Sequence, residues 1–168
     1  MKQAKRYPFY AVNRRRFRLH YQNQSSRNTP AERLCRRWMW QALIETGHHA
    51  ADIGLVFLDE SEARGYNRDY RQKDYATNVL SFALDEDGGF GTDSTALHGD
   101  LILCPQVVER EATEQGKSTE AHYAHLLVHG TLHLAGYDHT GDEEAEEMEA
   151  LETRLMAQLG YADPYRSI

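Results

Sequence analysis

The chain has 168 residues, of which 40% are hydrophobic and 27% charged, a composition typical of one ordinary globular domain with its own core. Cys35 and Cys104 lie far apart and outside any CxxC pattern, which favours reduced core thiols over a disulfide framework or a thiolate zinc site. No apolar run approaches the roughly 18 residues of a membrane span. The basic N-terminus also lacks the apolar stretch of a secretory signal, so we expect a cytoplasmic protein without membrane contact.

The net charge of −7 does not by itself suggest a nucleic-acid binder, but the charge is unevenly distributed. Residues 1–40 contain eleven Lys and Arg residues and one acid, whereas residues 142–152 contain seven acids and no base. Either both regions are ordinary solvated faces, or the basic region meets phosphates. The second interpretation makes residues 1–15 a basic N-terminal extension and directs the acids from Asp142 to Glu149 away from the substrate.

Hydrophobic periodicity predicts the elements in chain order. They are a strand over 14–23, a helix over 28–47, a strand over 52–60, a helix over 60–71, strands over 78–84 and 99–105, and helices over 105–117, 118–137 and 140–160, with a Gly- and Asp-rich loop over 85–98. This order predicts an α+β fold, a single domain over residues 1–168 with a mixed sheet of about four strands packed with about five helices.

The ends of two helices carry capping signals. Thr29, with Glu32 three residues later, predicts a capping box for the first helix, and Thr140 with Glu143 predicts the same for the last. The last helix also carries an apolar stripe that should be buried. That stripe consists of Met148, Leu151, Leu155 and Leu159.

Three histidines within HGTLHLAGYDH, residues 129–139, have the spacing of a metal site. His129 and His133 lie four residues apart on the predicted central helix, so their side chains leave the same face with Cβ atoms roughly 5–6 Å apart. Gly136 can end the helix in a left-handed conformation, which lets His139 in the following turn supply a third ligand. Three nitrogens and an open fourth position describe a catalytic zinc centre better than a closed structural one. The alternative is a histidine-rich helix that binds no metal.

Three residues near the histidine motif, His122, His125 and Asp138, could have more than one role. His122 and His125 continue the histidine run toward the N-terminus and could extend the site, but we do not assign them to it because such residues more often support ligands or lie at the surface. Asp138 could orient an imidazole, act on water, or only stabilise a turn.

The pattern H-x-x-x-H-x-x-G-x-x-H is also the spacing of the metzincin metalloproteases. Their general base is a glutamate directly after the first histidine, and this chain has Gly130 there. The metal site therefore stands, while the peptidase interpretation weakens because the base would have to come from elsewhere.

The chain resembles a second family more closely. The YbeY family of endoribonucleases carries H-G-x-L-H-L-x-G-Y-D-H, which residues 129–139 match throughout. Residues 67–82, NRDYRQKDYATNVLSF, resemble the family's N-x-x-Y-R-x-K-D-x-x-T-N/D-V-L-S-F, and residues 99–108 resemble its G-D-I/L-x-I-C stretch. The resemblance covers about residues 50–165, including the acidic helix after the histidines, and the first 50 residues resemble little that is familiar.

The resemblance implies a specific activity. It makes His129, His133 and His139 the ligands of one zinc ion and Arg71 the catalytic residue. It implies a metal-dependent, single-strand-specific endoribonuclease in late-stage maturation of the 16S ribosomal RNA 3′ end and in ribosome quality control. The implied partners are ribosomal RNA and the small ribosomal subunit, with its proteins or assembly GTPases.

The residue types agree with phosphodiester chemistry. Zinc can polarise a phosphate oxygen and lower the pKa of a bound water to about 7, and the planar, permanently charged fork of arginine suits a phosphate. Residues 77–82 would line the floor of the cleft, and Arg71 and Lys73 its edge. The bases that could make accessory contacts are Lys5, Arg6, Arg14, Arg15 and Arg16.

The sequence leaves three alternatives open. Arg71 could instead form a surface ion pair with Asp74. The whole chain could be a metzincin-type peptidase, or a non-catalytic ribosome-assembly factor in which zinc only holds the fold. An open coordination position on the metal would argue against the last of these.

Overall fold

The computed structural model describes residues 16–48, 50–84 and 96–166, and the elements within them follow the predicted order. The elements are β1 (Phe17–Asn23), α1 (Glu32–Glu45), β2 (Ala50–Phe57), α2 (Glu60–Arg71), β3 (Val79–Ala83), β4 (Ala96–Leu103), α3 (Pro105–Glu114), α4 (Thr119–Leu134) and α5 (Asp142–Leu159). The described part of the chain is thus α+β, with four strands and five helices in a single domain, as predicted.

The four strands form one mixed sheet in the order β1-β2-β4-β3. β1 pairs with β2 and β2 with β4 in parallel, which requires the helical crossovers that α1 and α2 contribute to. β3 runs antiparallel to β4, with Leu80 opposite Ile102, and forms one edge of the sheet. β1 forms the other edge, so the first and third strands of the chain lie farthest apart.

The sheet is buried on both faces. Along β4, Leu101 and Leu103 belong to the main core, which includes α1, α4 and α5, whereas Ile102 belongs to a smaller cluster with Ala63 of α2 and Leu80 of β3. This alternation follows from the two-residue period of a strand. Helix α4 is buried along most of its length and lies at the centre of the molecule, as its apolar sequence predicted.

Both predicted capping boxes are wrong. Helix α1 begins at Glu32 after Ala31, and the Thr29 hydroxyl instead lies 2.6 Å from the hydroxyl of Tyr21. Helix α5 begins after Gly141, and the Thr140 hydroxyl donates to the Glu144 carboxylate at 3.2 Å rather than capping a backbone N–H. At Thr29, the contact with Tyr21 replaces the expected hydrogen bond to a backbone N–H of the helix. At Thr140, the contact with the Glu144 side chain replaces it.

The structure also bears on the predicted loop, the two cysteines and the N-terminal extension. Ala96–His98, assigned to the loop, pair with Ala50–Asp52 and open β4. Cys35 and Cys104 are free and buried, as expected. The proposed basic extension over 1–15 lies outside the described residues, as does most of the predicted loop over 85–98. No helix in the described ranges is long and apolar enough to cross a membrane.

Candidate metal centre

The three predicted histidine ligands converge at the end of α4. His129 and His133 lie one turn apart on this helix, with their Nε2 atoms 3.0 Å apart, and His139 lies in the turn that follows. One ring nitrogen from each histidine lies within 4.8 Å of the other two. Zinc–nitrogen bonds of about 2.0–2.1 Å at tetrahedral angles would hold two nitrogens roughly 3.3 Å apart, so the donor set fits a single small cation.

A glycine directs His139 back toward the helix. Helix α4 ends at Leu134, and Gly136 adopts φ +97°, a left-handed conformation that a residue with a Cβ rarely adopts. The Tyr137 N–H then donates to the carbonyl of Leu132, which reverses the chain. His139 is exposed, and its own N–H donates to the Asp138 carboxylate at 2.7 Å. Asp138 therefore stabilises the turn that presents the third histidine.

A buried carboxylate stands behind His129. Glu152 of α5 is 0% exposed, and its Oε1 accepts a hydrogen bond from His129 Nδ1. Because Nδ1 donates, the lone pair of Nε2 is left facing His133 and His139. The other carboxylate oxygen accepts from the Tyr165 hydroxyl and lies 3.3 Å from His125 Nε2. This carboxylate–imidazole pair is the arrangement that usually orients a metal-binding histidine.

The protonation states favour metal binding. Burial, together with the nearby rings of His129 and His139, lowers the pKa of His133, so its imidazole stays neutral near pH 7. Burial would raise the pKa of Glu152, but hydrogen bonds from His125 and His129 outweigh it and bring the pKa to about 2. A neutral imidazole is the form that ligates a metal, and the ionised Glu152 carboxylate adds negative charge behind the cluster.

Close packing explains the glycine that replaces the protease glutamate. Gly130 faces the sheet, and a Cβ built there would lie 3.0 Å from Leu101 Cδ2 and 3.4 Å from Val79 Cγ2. The carbonyl of Gly130 accepts a long 3.5 Å hydrogen bond from Ser81. A side chain at this position would push these methyl groups by a few tenths of an ångström, so the glycine suits the close approach of α4 to the sheet.

Arg71 lines the same cleft as the histidines. The cleft has a volume of about 560 Å³, and its lining includes Arg71 together with His129, His133, Asp138 and His139. Its floor consists of Thr77, Asn78, Val79 and Ser81 from β3 and the residues before it. The suggested ion pair between Arg71 and Asp74 does not form, because both oxygens of Asp74 accept hydrogen bonds from Arg64. Arg71, at the C-terminal end of α2, is left exposed to the cleft.

The cleft floor is held by a partly buried hydrogen-bond chain. The Asn78 amide donates to the carboxylate of Glu111 at 3.0 and 3.1 Å, and His122 Nε2 lies 2.7 Å from the same carboxylate. Burial would raise the pKa of Glu111, but these two hydrogen bonds lower it. His122 therefore ties α4 to α3 and β3, and it lies outside both groups of side chains that could hold a metal in the described part of the chain.

Sequence reasoning missed Glu152 and Tyr165. Glu152 counted as one of seven acids on a charged helix, yet it lies on the apolar stripe, four residues after Met148 and three before Leu155. An acid at such a position is the signal that could have identified it, because a buried carboxylate needs a partner. Tyr165 follows α5 with no pattern that links it to the histidines.

The acids from Asp142 to Glu149 were expected to face away from the substrate. One of them, Glu149, lies near the histidines, since it and Tyr165 line a second, smaller cavity that shares His129 and His139 with the cleft but does not include Arg71. Asp142, Glu143 and Glu144 occupy the first turn of α5, where the helix dipole favours negative charge. Among the described residues, no acid of α5 lines the cleft that contains Arg71.

Proteins similar to this chain match it over nearly its whole length. The family described as endoribonuclease YbeY matches residues 19–160, so β1 and α1 share the likeness, which begins well before residue 50. An endoribonuclease YbeY of Neisseria gonorrhoeae is 60% identical over 168 residues, covering 99% of this chain and 98% of that protein. One of Chromobacterium violaceum is 52% identical over 166 residues, covering 98% of this chain and 97% of that protein.

A solved structure shows the same fold. The solution structure of a Thermotoga maritima protein superposes with a TM-score of 0.53 at 22% identity, covering 89% of this chain and 99% of that one. At that identity the likeness concerns the fold alone. The family match and the relatives of more than half identical sequence carry the assignment: this chain belongs to the YbeY endoribonuclease family.

Proposed function

We propose that this protein is a zinc-dependent endoribonuclease that cleaves single-stranded RNA, with His129, His133 and His139 as ligands of one zinc ion and Arg71 as the catalytic arginine. The observation that carries the proposal is the cleft itself. Three histidine nitrogens lie within 4.8 Å of one another, and Arg71, which has no carboxylate partner among the described residues, lines the same cleft.

The donor set supports zinc. Neutral imidazoles suit zinc, although copper or nickel would bind the same ligands. Three protein ligands leave a coordination position open, which is typical of catalytic sites. When bound, zinc supplies Lewis acidity at the scissile phosphate and makes water a stronger nucleophile at neutral pH.

Arg71 serves the phosphate. Negative charge accumulates on the non-bridging oxygens as the phosphodiester is attacked, and a guanidinium can donate two parallel hydrogen bonds to them. Since Asp74 is held by Arg64, Arg71 does not have to give up an ion pair before it binds. Thr77, Asn78 and Ser81 offer further polar groups along the floor.

One carboxylate in the cleft can accept a proton from water. Position 130 is a glycine and offers no carboxylate, and Asp138 is the carboxylate among the described residues that line the cleft. Asp138 is therefore our candidate for proton transfer from the attacking water, beside its role in the turn.

The biological substrate follows the family. We infer that the protein acts in the cytoplasm in late-stage maturation of the 16S ribosomal RNA 3′ end and in ribosome quality control. Its partners would be ribosomal RNA and the small ribosomal subunit, with its proteins or assembly GTPases. We also infer that the whole chain, residues 1–168, acts as a single domain with residues 1–15 as a basic extension.

The deciding experiment compares substrates. Purified protein is incubated with a ribosomal RNA precursor, with the same RNA annealed to its complement, and with casein, each with and without a chelator. We expect cleavage of the single-stranded RNA alone, lost with the chelator and restored by zinc. Cleavage of casein would establish a peptidase, and zinc binding with no cleavage of any substrate would establish a structural zinc site.

A further inference from the structure

An exposed stack of aromatic rings lies on α2 and β3, next to Arg71. Tyr66 and Tyr70 are 42% and 66% exposed, although large apolar rings are usually covered in a folded domain. They lie one helical turn apart, with ring centroids 6.0 Å apart and planes 11° from parallel. Phe82 of β3 supports Tyr70 edge-on at 5.1 Å. These three rings form a stack in which both tyrosines are exposed, and we call it the aromatic stack.

The stack adjoins the cleft around the edge of the sheet. Tyr70 directly precedes Arg71 in the chain, and Phe82 directly follows Ser81, which lines the cleft floor. Because successive strand residues point to opposite faces, Ser81 faces α4 while Phe82 faces α2. Because β3 is an edge strand, an RNA strand that leaves the cleft past Arg71 has to pass around β3 alone to reach the aromatic stack.

The surroundings of the stack are basic. Arg71 and Lys73 have no carboxylate partner among the described residues. Arg68 on α2 pairs with the adjacent Asp69 at 3.2 Å, and its charge also acts on Asp74. The turn that carries Lys73 is fixed, because Gln72 adopts φ +57° and the buried Asn67 side chain donates to the carbonyl of Tyr75 at 2.7 Å. Exposed rings beside two cations without a carboxylate partner suit a ligand that has both planar rings and phosphates.

We propose that Tyr66 and Tyr70 form a stacking platform for an unpaired base of single-stranded RNA, next to the phosphate that Arg71 binds. This inference rests on the proposed endoribonuclease function and adds how the single strand is recognised. Bases in a duplex already stack on one another and cannot present a free face to a protein ring, whereas an unpaired base can. The stack would thus select single-stranded RNA without reading its sequence.

The test is a fluorescence titration of the full chain with a single-stranded RNA that contains 2-aminopurine, whose emission falls when the base stacks. Titrations are run in chelator, which keeps the RNA intact, and repeated with zinc. We expect Tyr70→Leu to raise the Kd by roughly tenfold and to remove most of the quenching. Tyr70→Phe and Tyr70→Trp keep a ring and should bind like wild type.

Tyr75→Leu is the matched control, since Tyr75 is 54% exposed on the same segment but outside the stack. It should leave the Kd unchanged, and thermal melting should show every variant folded. The platform is overturned if Tyr70→Leu binds as wild type does, or if Tyr70→Phe and Tyr70→Trp lose as much affinity as Tyr70→Leu. In the first case cleavage by wild type would leave the proposed function intact, whereas a wild type that neither binds nor cleaves single-stranded RNA would overturn both.

Discussion

At the scale of single residues, Glu152 connects the buried core to the candidate metal site. It is the buried carboxylate of α5, and it contacts His125, His129 and Tyr165 at once. Removing an ionised carboxylate from water is costly unless hydrogen bonds replace its solvation. These contacts provide that replacement. As a consequence, the ring of His129 is held with Nε2 toward His133 and His139.

We predict that Glu152 controls metal affinity. Glu152→Ala should weaken zinc binding by about 10- to 100-fold, because His129 loses both its orientation and the nearby charge. Glu152→Gln keeps an acceptor for His129 and should have a smaller effect. Competition with a chromophoric chelator measures this without reference to activity. Glu147→Gln, at an exposed position of the same helix, is the control, and equal affinities in all four proteins would contradict the prediction.

A second residue-scale prediction concerns Arg71. Arg71→Glu should reduce RNA cleavage by roughly 100- to 1000-fold, because an attractive charge at the phosphate becomes a repulsive one. The melting temperature and zinc content should stay near wild type, since the side chain is exposed and has no ion-pair partner among the described residues. Arg33→Glu reverses an exposed charge on α1 and should cleave normally. Normal cleavage by Arg71→Glu would exclude Arg71 from the reaction.

The sequence predicted the residues that face the cleft better than those behind it. His129, His133 and His139 share a short motif, and helical geometry alone brings two of them together. Arg71 depended on the family resemblance, because nothing local distinguishes it from Arg68. Glu152 and Tyr165 reach the histidines only through the packing of α5 on α4, and such long-range contacts have no short sequence pattern.

At the scale of elements, the end of α4 determines whether His139 lies close to His129 and His133. The helix supplies His129 and His133 directly, but His139 depends on the reversal at Gly136, whose φ of +97° is unfavourable for any residue with a Cβ. Nothing lies within 4 Å of a Cβ built at this position, so conformational strain, and not a steric clash, is the cost of a substitution.

We predict that Gly136→Ala lowers both stability and metal affinity. The strain should cost about 1–2 kcal/mol in the free energy of unfolding. The same strain should shift His139 and weaken zinc binding. Gly160→Ala is a matched control, because Gly160 ends α5 with φ +93° and also has open space around it. It should lose similar stability in urea unfolding but bind zinc like wild type; equal zinc affinity in both variants would refute the coupling.

The elements themselves were largely predictable. Period-two and helical patterns fixed the order and number of the strands and helices, because each element buries one apolar face against the core. Their ends were less predictable: Thr29 pairs with Tyr21 of β1, and Ala96–His98 join β4 because β2 offers a partner strand. Both outcomes depend on neighbours that are distant in sequence.

At the scale of the whole molecule, the sheet topology separates the start of β1 from the strand that lines the cleft. β1 follows the basic stretch and lies at the sheet edge opposite β3, which lines the cleft. Three strand spacings separate these edges, roughly 14 Å. Arg16 is exposed just before β1, and Lys5, Arg6, Arg14 and Arg15 lie outside the described residues. An RNA that contacts both Arg16 and Arg71 must therefore pass from one edge of the sheet to the other.

The salt dependence of RNA binding tests that extended path. Removing one cation that binds a phosphate should reduce the slope of log K against log salt by about 0.7 on single-stranded RNA, so Arg14→Ser/Arg15→Ser/Arg16→Ser should reduce it by roughly 2. A matched variant, Glu143→Gln/Glu146→Gln/Glu147→Gln, removes three exposed charges from α5 and should leave the slope unchanged, because carboxylates do not bind phosphates. RNA long enough to pass both sheet edges should show the difference, whereas a short oligonucleotide that fills only the cleft should not. An unchanged slope on the long RNA would mean that the basic stretch contacts a protein partner or solvent, and that Arg71 and Lys73 hold the substrate without it.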